Sequence, residues 1–320
     1  MRKILITGAA GQIGSELTMA LREGYGNENV IASGHKKKPD NVLFESGPFH
    51  FIDCTEINTI AELVKKYKVD TIYHLAALLS AVAEENPQRA WDVNMIGLYN
   101  VLEVARSCKC SVFTPSSIGA FGPTTPLDKT PQDTIQRPNT MYGVTKVAGE
   151  LLCDYYFKRF GVDTRGVRYP GIISYKTPPG GGTTDYAVEI YYCAIKRGKY
   201  TCYLKKGTYL DMMYMPDALK AAIDLMEANP ARLKHRNAFN VTAMSLAPED
   251  IAAEIRKIIP EFTMDFNLDP LRQAIADSWP NSMDDSAARE EWGWQPDYDL
   301  VSMTRDMVGK LSQKLGIRIG

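Results

Sequence analysis

Residues 8 to 14 read Gly8-Ala9-Ala10-Gly11-Gln12-Ile13-Gly14, joining the apolar run Lys3–Thr7 directly to a stretch of helical periodicity. A strand that turns through glycines into a helix lets the backbone approach a pyrophosphate. The helix start then offers unpaired N–H groups and the positive end of its dipole. The glycines are spaced three and three, rather than the two and three of the commonest fingerprint, but strand, turn and helix follow in the order a dinucleotide site requires.

The next segments repeat this alternation. Val30–Ser33, Phe49–Asp53, Thr71–Ala76 and Ser111–Pro115 are apolar without strict alternation, as strands covered on both faces should be. Between them, Ile13, Leu17, Ala20 and Leu21 share one helical face, and Ile57, Ile60, Ala61 and Val64 share another. The pattern predicts an α/β chain with a doubly wound parallel sheet of the Rossmann type. Residues 1–170 are expected to form the dinucleotide-binding domain. Proline and glycine then cluster at 177–182. Helical stretches at Pro216–Ala228, Pro248–Ile259 and Asp299–Leu311 are separated by strand-like Phe239–Val241 and Thr263–Phe266. Residues 171–320 therefore read mainly as a smaller substrate-binding lobe over the carboxyl ends of the sheet, with parts of 205–245 returning to it.

Composition narrows the partners. Thirty-seven Lys and Arg against 38 Asp and Glu leave a formal net charge of −1, so no basic footprint for nucleic acid or membrane is expected. The six cysteines form no CxxC pair and the four histidines are scattered, which argues against a metal site. Free thiols suit a reducing intracellular compartment, the mitochondrial matrix in a eukaryote and the cytoplasm otherwise. Met1-Arg2-Lys3 passes straight into the first apolar run, so no leader is expected within the sequence as it stands, and no apolar run is long enough to span a bilayer.

A second cofactor determinant is ordinarily an acid about 20 residues past the glycines, accepting from the ribose hydroxyls. Here that place holds Gly34, followed by His35, Lys36, Lys37 and Lys38, cations that could meet a 2′-phosphate or simply form a solvated loop. Asp53, at the end of the third strand, suits the adenine edge or a helix cap. Further along, Tyr142-Gly143-Val144-Thr145-Lys146 puts a phenol and an ammonium on one helical face. A phenolate base at neutral pH needs a neighbouring cation of this kind. Tyr192 and Lys196 repeat the spacing, but Tyr142 alone follows a strand whose end carries a hydroxyl pair, Ser116-Ser117.

These segments together resemble the extended short-chain dehydrogenase/reductases. The resemblance rests on Thr7–Gly14, His74-Leu75-Ala76-Ala77, Asn94-Met95-Ile96-Gly97, Ser116–Gly122, Tyr142–Lys146 and Trp292-Gly293-Trp294-Gln295-Pro296, and so covers nearly the whole chain. It implies Ser117, Tyr142 and Lys146 as the catalytic set, with Lys146 also bonding the nicotinamide ribose. It further implies NAD contacts from Gly8, Gly11, Gln12, Ile13, Gly14, Gly34, His35, Asp53, Leu75, Ala76, Ala77, Asn94 and Tyr169. Such enzymes are by default nucleotide-sugar epimerases or dehydratases, but two of their sugar-nucleotide anchors are missing. Arg168-Tyr169-Pro170-Gly171-Ile172-Ile173 lacks the expected Asn, and Leu210 stands where Arg usually precedes Asp211–Asp217.

Instead, Arg168–Ser174, Pro179–Ala187, Leu75–Ser80 and Pro115–Gly122 are similar to the short-chain type of L-threonine 3-dehydrogenase. That resemblance implies oxidation of the L-threonine 3-hydroxyl to 2-amino-3-oxobutyrate with hydride transfer to NAD, Tyr142 acting as base with Ser117 and Lys146. It implies a homodimer through the helices Arg89–Ser107 and Tyr142–Arg159, and functional coupling to a 2-amino-3-oxobutyrate CoA ligase. Substrate contacts are expected from Ser80, Ser116, Ser117, Tyr142, Gly182, Thr183, Thr184 and Asp185. Threonines and glycine N–H groups suit a carboxylate and Asp185 an ammonium, although Thr184-Asp185 also reads as a cap for the helix Tyr186–Arg197. The glycines of Pro178–Asp185 would let that loop move over the site. Gly34 departs from the subfamily's usual Asp. The alternative reading is an NAD-dependent nucleotide-sugar epimerase or reductase.

Overall fold

The computed structural model describes residues 1–178 and 182–319. Its strands are β1 (Ile4–Thr7), β2 (Val30–Gly34), β3 (Phe49–Phe51), β4 (Thr71–His74), β5 (Ser111–Phe113), β6 (Ser116–Ser117), β7 (Thr164–Arg165), β8 (Val167–Tyr169), β9 (Gly171–Ile173), β10 (Lys199–Cys202), β11 (Leu210–Tyr214), β12 (Phe239–Asn240), β13 (Met244–Leu246) and β14 (Thr263–Phe266). Six of them form one parallel sheet in the order β3-β2-β1-β4-β5-β7, a Rossmann arrangement. Every residue of β1, β2 and β4 is buried, the physical reason their sequences do not alternate.

The strand order reverses between β1 and β4, which opens a crevice at their carboxyl ends. On one face the first helix, Gln12–Tyr25, buries Leu17 and Leu21 with Ala218, Ala222 and Leu225 of the helix Met215–Glu227. The helices Ile57–Tyr67, Gly97–Cys108 and Met141–Phe160 cover the other face. Pro115 interrupts the expected strand Ser111–Pro115, since it can give no ladder N–H, and the chain resumes as β6. β6 pairs with β8 in parallel, Ser116 opposite Arg168 and Ser117 opposite Tyr169, and β12 pairs with β8 on its other side.

Beyond β8, β9 pairs with β11 and β11 with β13, while β10 pairs with β14. A separate apolar core gathers there, among the helices Tyr186–Arg197, Pro248–Arg256 and Leu300–Leu315. The expected helix Arg89–Ser107 is present without interruption, but it is not regular throughout. A short helix, Pro87–Trp91, passes through one π-helical turn, Asp92–Ile96, before Gly97–Cys108 begins. Such turns re-aim side chains near functional sites, and this one aims Asn94. No helix among the described residues is long and apolar enough to cross a membrane.

Candidate active site

The crevice between β1 and β4 opens into a groove of about 680 Å³, and the glycine loop forms its floor. Gly8 has φ +75°, and a Cβ there would lie 2.6 Å from the Ala76 nitrogen and 2.7 Å from the Leu75 carbonyl carbon. Glycine is required on both counts. A Cβ on Gly14 would come within 2.2 Å of the Gly8 carbonyl oxygen, so the helix packs hard against the loop. That helix starts at Gly11 with no capping side chain and no acid in its first turn. Its leading N–H groups, at Gln12 and Ile13, thus remain available to an anion. Leu75, Ala76 and Ala77 line the opposite wall, and Asn94 fixes the chain beyond them. Its amide accepts from Leu78 N at 2.8 Å and donates to Leu78 O at 3.1 Å and to Thr145 Oγ1 at 3.1 Å. This close backbone approach and uncapped helix fit a dinucleotide, and Gly8, Gly11 and Gly14 are the residues that would face its pyrophosphate.

At the far end of the groove, Gly34 closes β2 with its Cα beside the Phe49 ring. His35 Nε2 lies 3.2 Å from Asp53 Oδ2, both side chains about two-fifths exposed. Burial alone would push the Asp53 carboxyl up, but the N–H and hydroxyl of Thr55, bonded at 3.0 and 2.7 Å, hold it below the usual carboxylate range. Lys36, Lys37 and Arg89 line the same end.

Ser117, Tyr142 and Lys146 converge. Tyr142 and Lys146 occupy the first turns of the helix Met141–Phe160, capped by the Thr140 hydroxyl accepting from Gly143 N at 3.1 Å. Lys146 Nζ donates to the Pro115 carbonyl at 2.7 Å and lies 5.3 Å from the centre of the Tyr142 ring. Ser117 Oγ accepts from Gly119 N at 3.1 Å. A Cβ on Gly119 would sit 3.3 Å from the Tyr142 ring edge and 3.5 Å from Ser117 Oγ, so phenol ring and hydroxyl flank one small residue. Below them, His74 Nδ1 and Thr7 Oγ1 are 2.7 Å apart. Burial first, and the Lys146 cation second, pull the His74 pKa down to about 3, so the imidazole stays neutral beside the ammonium.

Two expected contacts are revised, and Asp185 takes the cap position that its sequence also offered. The Ser116 hydroxyl is buried and donates to Glu150 behind the sheet, away from Ser117, because neighbours on an extended strand face opposite ways. Tyr169 is a core residue whose hydroxyl donates to Ala218 O at 2.5 Å, so its side chain is not offered to the dinucleotide groove. Asp185 accepts from Gly182 N at 2.8 Å, in the manner of a helix cap. Thr183 is buried and Thr184 lies against Gly171. Pro179, Gly180 and Gly181 of this loop lie outside the described residues. Ser80 opens a short helix, Ser80–Glu85, that packs on the Met141–Phe160 helix, where Glu84 accepts from Met141 N at 2.6 Å. Tyr192 and Lys196 stay on the far helix Tyr186–Arg197, the ammonium 5.6 Å from the ring. Glu150 went unnoticed in the sequence, although it continues the spacing of Tyr142 and Lys146 by four more residues.

All six thiols are unpaired, and burial pushes those of Cys54 and Cys202 up to about 11 and that of Cys110 to about 12. No cluster of metal-binding side chains occurs among the described residues.

Sheet order, glycine crevice and the Ser–Tyr–Lys set define the class, and the comparison with known proteins agrees. The chain belongs to the NAD-dependent epimerase/dehydratase family, whose sequence pattern matches residues 4–242. It is an NAD-dependent oxidoreductase of the extended short-chain type. Among solved structures it is similar to an L-threonine dehydrogenase from Clostridium difficile, at 62% identity and TM-score 0.98 over 99% of both chains. It is also similar to an L-threonine dehydrogenase from Cupriavidus necator in its holo form, at 50% identity and TM-score 0.93 over 97% of this chain and 99% of that one. An uncharacterised epimerase/dehydratase of Staphylococcus aureus is 56% identical over 98% of each chain.

Proposed function

We propose that this chain oxidises the 3-hydroxyl of L-threonine to give 2-amino-3-oxobutyrate. Bound NAD supplies the acceptor for the hydride leaving Cβ. The observation that carries the reading is the Ser117–Tyr142–Lys146 convergence around Gly119, in a chain 62% identical over 99% of its length to an L-threonine dehydrogenase. In this reading the substrate hydroxyl lies between Ser117 and Tyr142. Ser117 orients the oxygen, and Tyr142 takes its proton. Lys146, fixed by the Pro115 carbonyl, holds its ammonium 5.3 Å from the centre of the Tyr142 ring. Thr183 and Thr184 bound the substrate end, with Asp185 shaping the turn they occupy.

Two further parts of the proposal concern assembly and neighbours. Ile96, Tyr99, Val144, Leu151 and Tyr155 expose apolar surface on the helices expected to pair, and Leu151 is 63% exposed. We read that face as a homodimer seam. The β-keto acid product is unstable to decarboxylation, so a CoA-dependent ligase consuming it is the expected functional partner.

The test is nicotinamide reduction with L-threonine, with L-serine and L-allo-threonine as controls, for the parent and for Tyr142→Phe. Turnover by the parent and none by the variant, at unchanged NAD binding, is expected. A variant retaining most of its rate would remove Tyr142 from the mechanism. A silent parent that binds NAD and a nucleotide sugar would return the chain to epimerase or reductase chemistry.

A further inference from the structure

One helical turn beyond Lys146, on the same face as Tyr142, stands Glu150. Its carboxylate is buried, and four donors converge on it. These are the Ser116 hydroxyl, the Gln136 amide at 2.9 Å, Arg168 Nε at 3.1 Å and Arg168 Nη2 at 2.8 Å. Arg168 is equally buried. Its Nη1 donates to the Gln132 carbonyl at 2.8 Å and to Asn240 Oδ1 at 3.1 Å, and its guanidinium lies 5.1 Å from the centre of the Phe121 ring. A buried ion pair of this kind contributes little stability relative to apolar side chains of the same volume, so stability is a poor reason for its presence. What it supplies is geometry.

Ser117 and Tyr142 come from different elements, a two-residue strand and a helix, which meet across Gly119. Glu150 belongs to the helix of Tyr142 and bonds the residue next to Ser117. With Ser116 held on Glu150, its neighbour Ser117 is fixed along β6 relative to the helix that carries Tyr142. Arg168, opposite Ser116 in the β6–β8 pairing, balances the charge and carries the same restraint into the sheet. Glu150 also lines a cavity of about 40 Å³ together with Ser116, Thr145 and Lys146.

We propose that Glu150, neutralised by Arg168, is a positioning residue that sets the Ser117 hydroxyl against the Tyr142 phenol. The kinetic part of this inference rests on the dehydrogenase reading, and the geometric part does not. Glu150→Gln keeps the shape but not the charge, and leaves at least one of the four donors without its acceptor. In the full chain it should lower kcat with L-threonine by about ten- to a hundredfold. It should leave the KM for NAD within about twofold and shift the pH dependence of kcat. A crystal structure of the variant should show Ser117 Oγ displaced relative to Tyr142. The double variant Glu150→Gln with Arg168→Met removes the stranded charge, and should regain thermal stability without regaining kcat. Recovery of both would mean a purely structural role and overturn the proposal. So would an unchanged kcat in the folded single variant, or an unmoved Ser117. If the parent fails to oxidise L-threonine, the functional reading falls by itself, and the position of Ser117 in the crystal decides this one.

Discussion

Replacing Asp211 by Asn should stabilise the chain above neutral pH and not below about pH 4. Asp211 is the second residue of β11 and has no exposed surface. Burial raises its pKa from 3.8 to about 7, against the Thr242 hydroxyl and Met283 N–H that it accepts and that favour the charged form. A carboxyl raised on folding is more protonated in the native state than in the unfolded one between those two values. Stability therefore falls as pH rises through that window and levels off above it. At about 1.4 kcal/mol per unit, the full excursion is about 4 kcal/mol, an upper bound on what the ionised group costs. Asn can keep both contacts, accepting from Met283 N and donating to Thr242, and it carries no charge to bury. Guanidinium unfolding of parent and variant from pH 4.5 to 8 isolates the effect, because other titrations cancel in the difference. That difference should grow in favour of Asn to roughly 2–4 kcal/mol at pH 8. A difference that stays flat, or that favours Asp at pH 8, would refute the reasoning.

Gly8→Ala forces a methyl onto the backbone of Leu75 and Ala76 at φ +75°. Left-handed strain and displacement together should cost about 3 kcal/mol or more. The melting temperature should fall and the KM for NAD rise, and unchanged values would place the loop elsewhere. Tyr169→Phe leaves the Ala218 carbonyl without its buried donor, at about 1–2 kcal/mol by chemical unfolding, with the KM for NAD unmoved. A raised KM at intact stability would return Tyr169 to the cofactor site. Tyr155→Glu puts a charge on the apolar helix face and should yield a monomer by light scattering. A parent that is already monomeric at micromolar concentration would remove the dimer.

Much of the fold could be read from residue order. The glycine turn, the buried strands and the helices they alternate with fell within a few residues of expectation, and the spacing of Tyr142 and Lys146 marked one helical face. The π-helical turn at Asp92–Ile96 could not be read, since Arg89–Ser107 keeps helical periodicity throughout. One extra residue in the turn changes where Asn94 points without changing which residues are apolar. By residue type alone Ser116 and Ser117 could not be told apart, and only the family resemblance singled out Ser117. Two adjacent hydroxyls carry no label saying which faces the substrate.

The sequence by itself determined whatever depends on near neighbours, namely the turn at Gly8, the uncapped helix start at Gly11 and the pairing of a phenol with an ammonium one turn away. Covalent spacing and backbone periodicity set those relations before any packing occurs. Tertiary structure alone decided that Ser116 turns to Glu150, 34 residues on, that Tyr169 spends its hydroxyl on Ala218, and that Asp211 takes the N–H of Met283, 72 residues away. Each joins elements whose register is fixed only when both faces of the sheet are covered, and a one-residue slip in β6 would exchange the roles of its two serines.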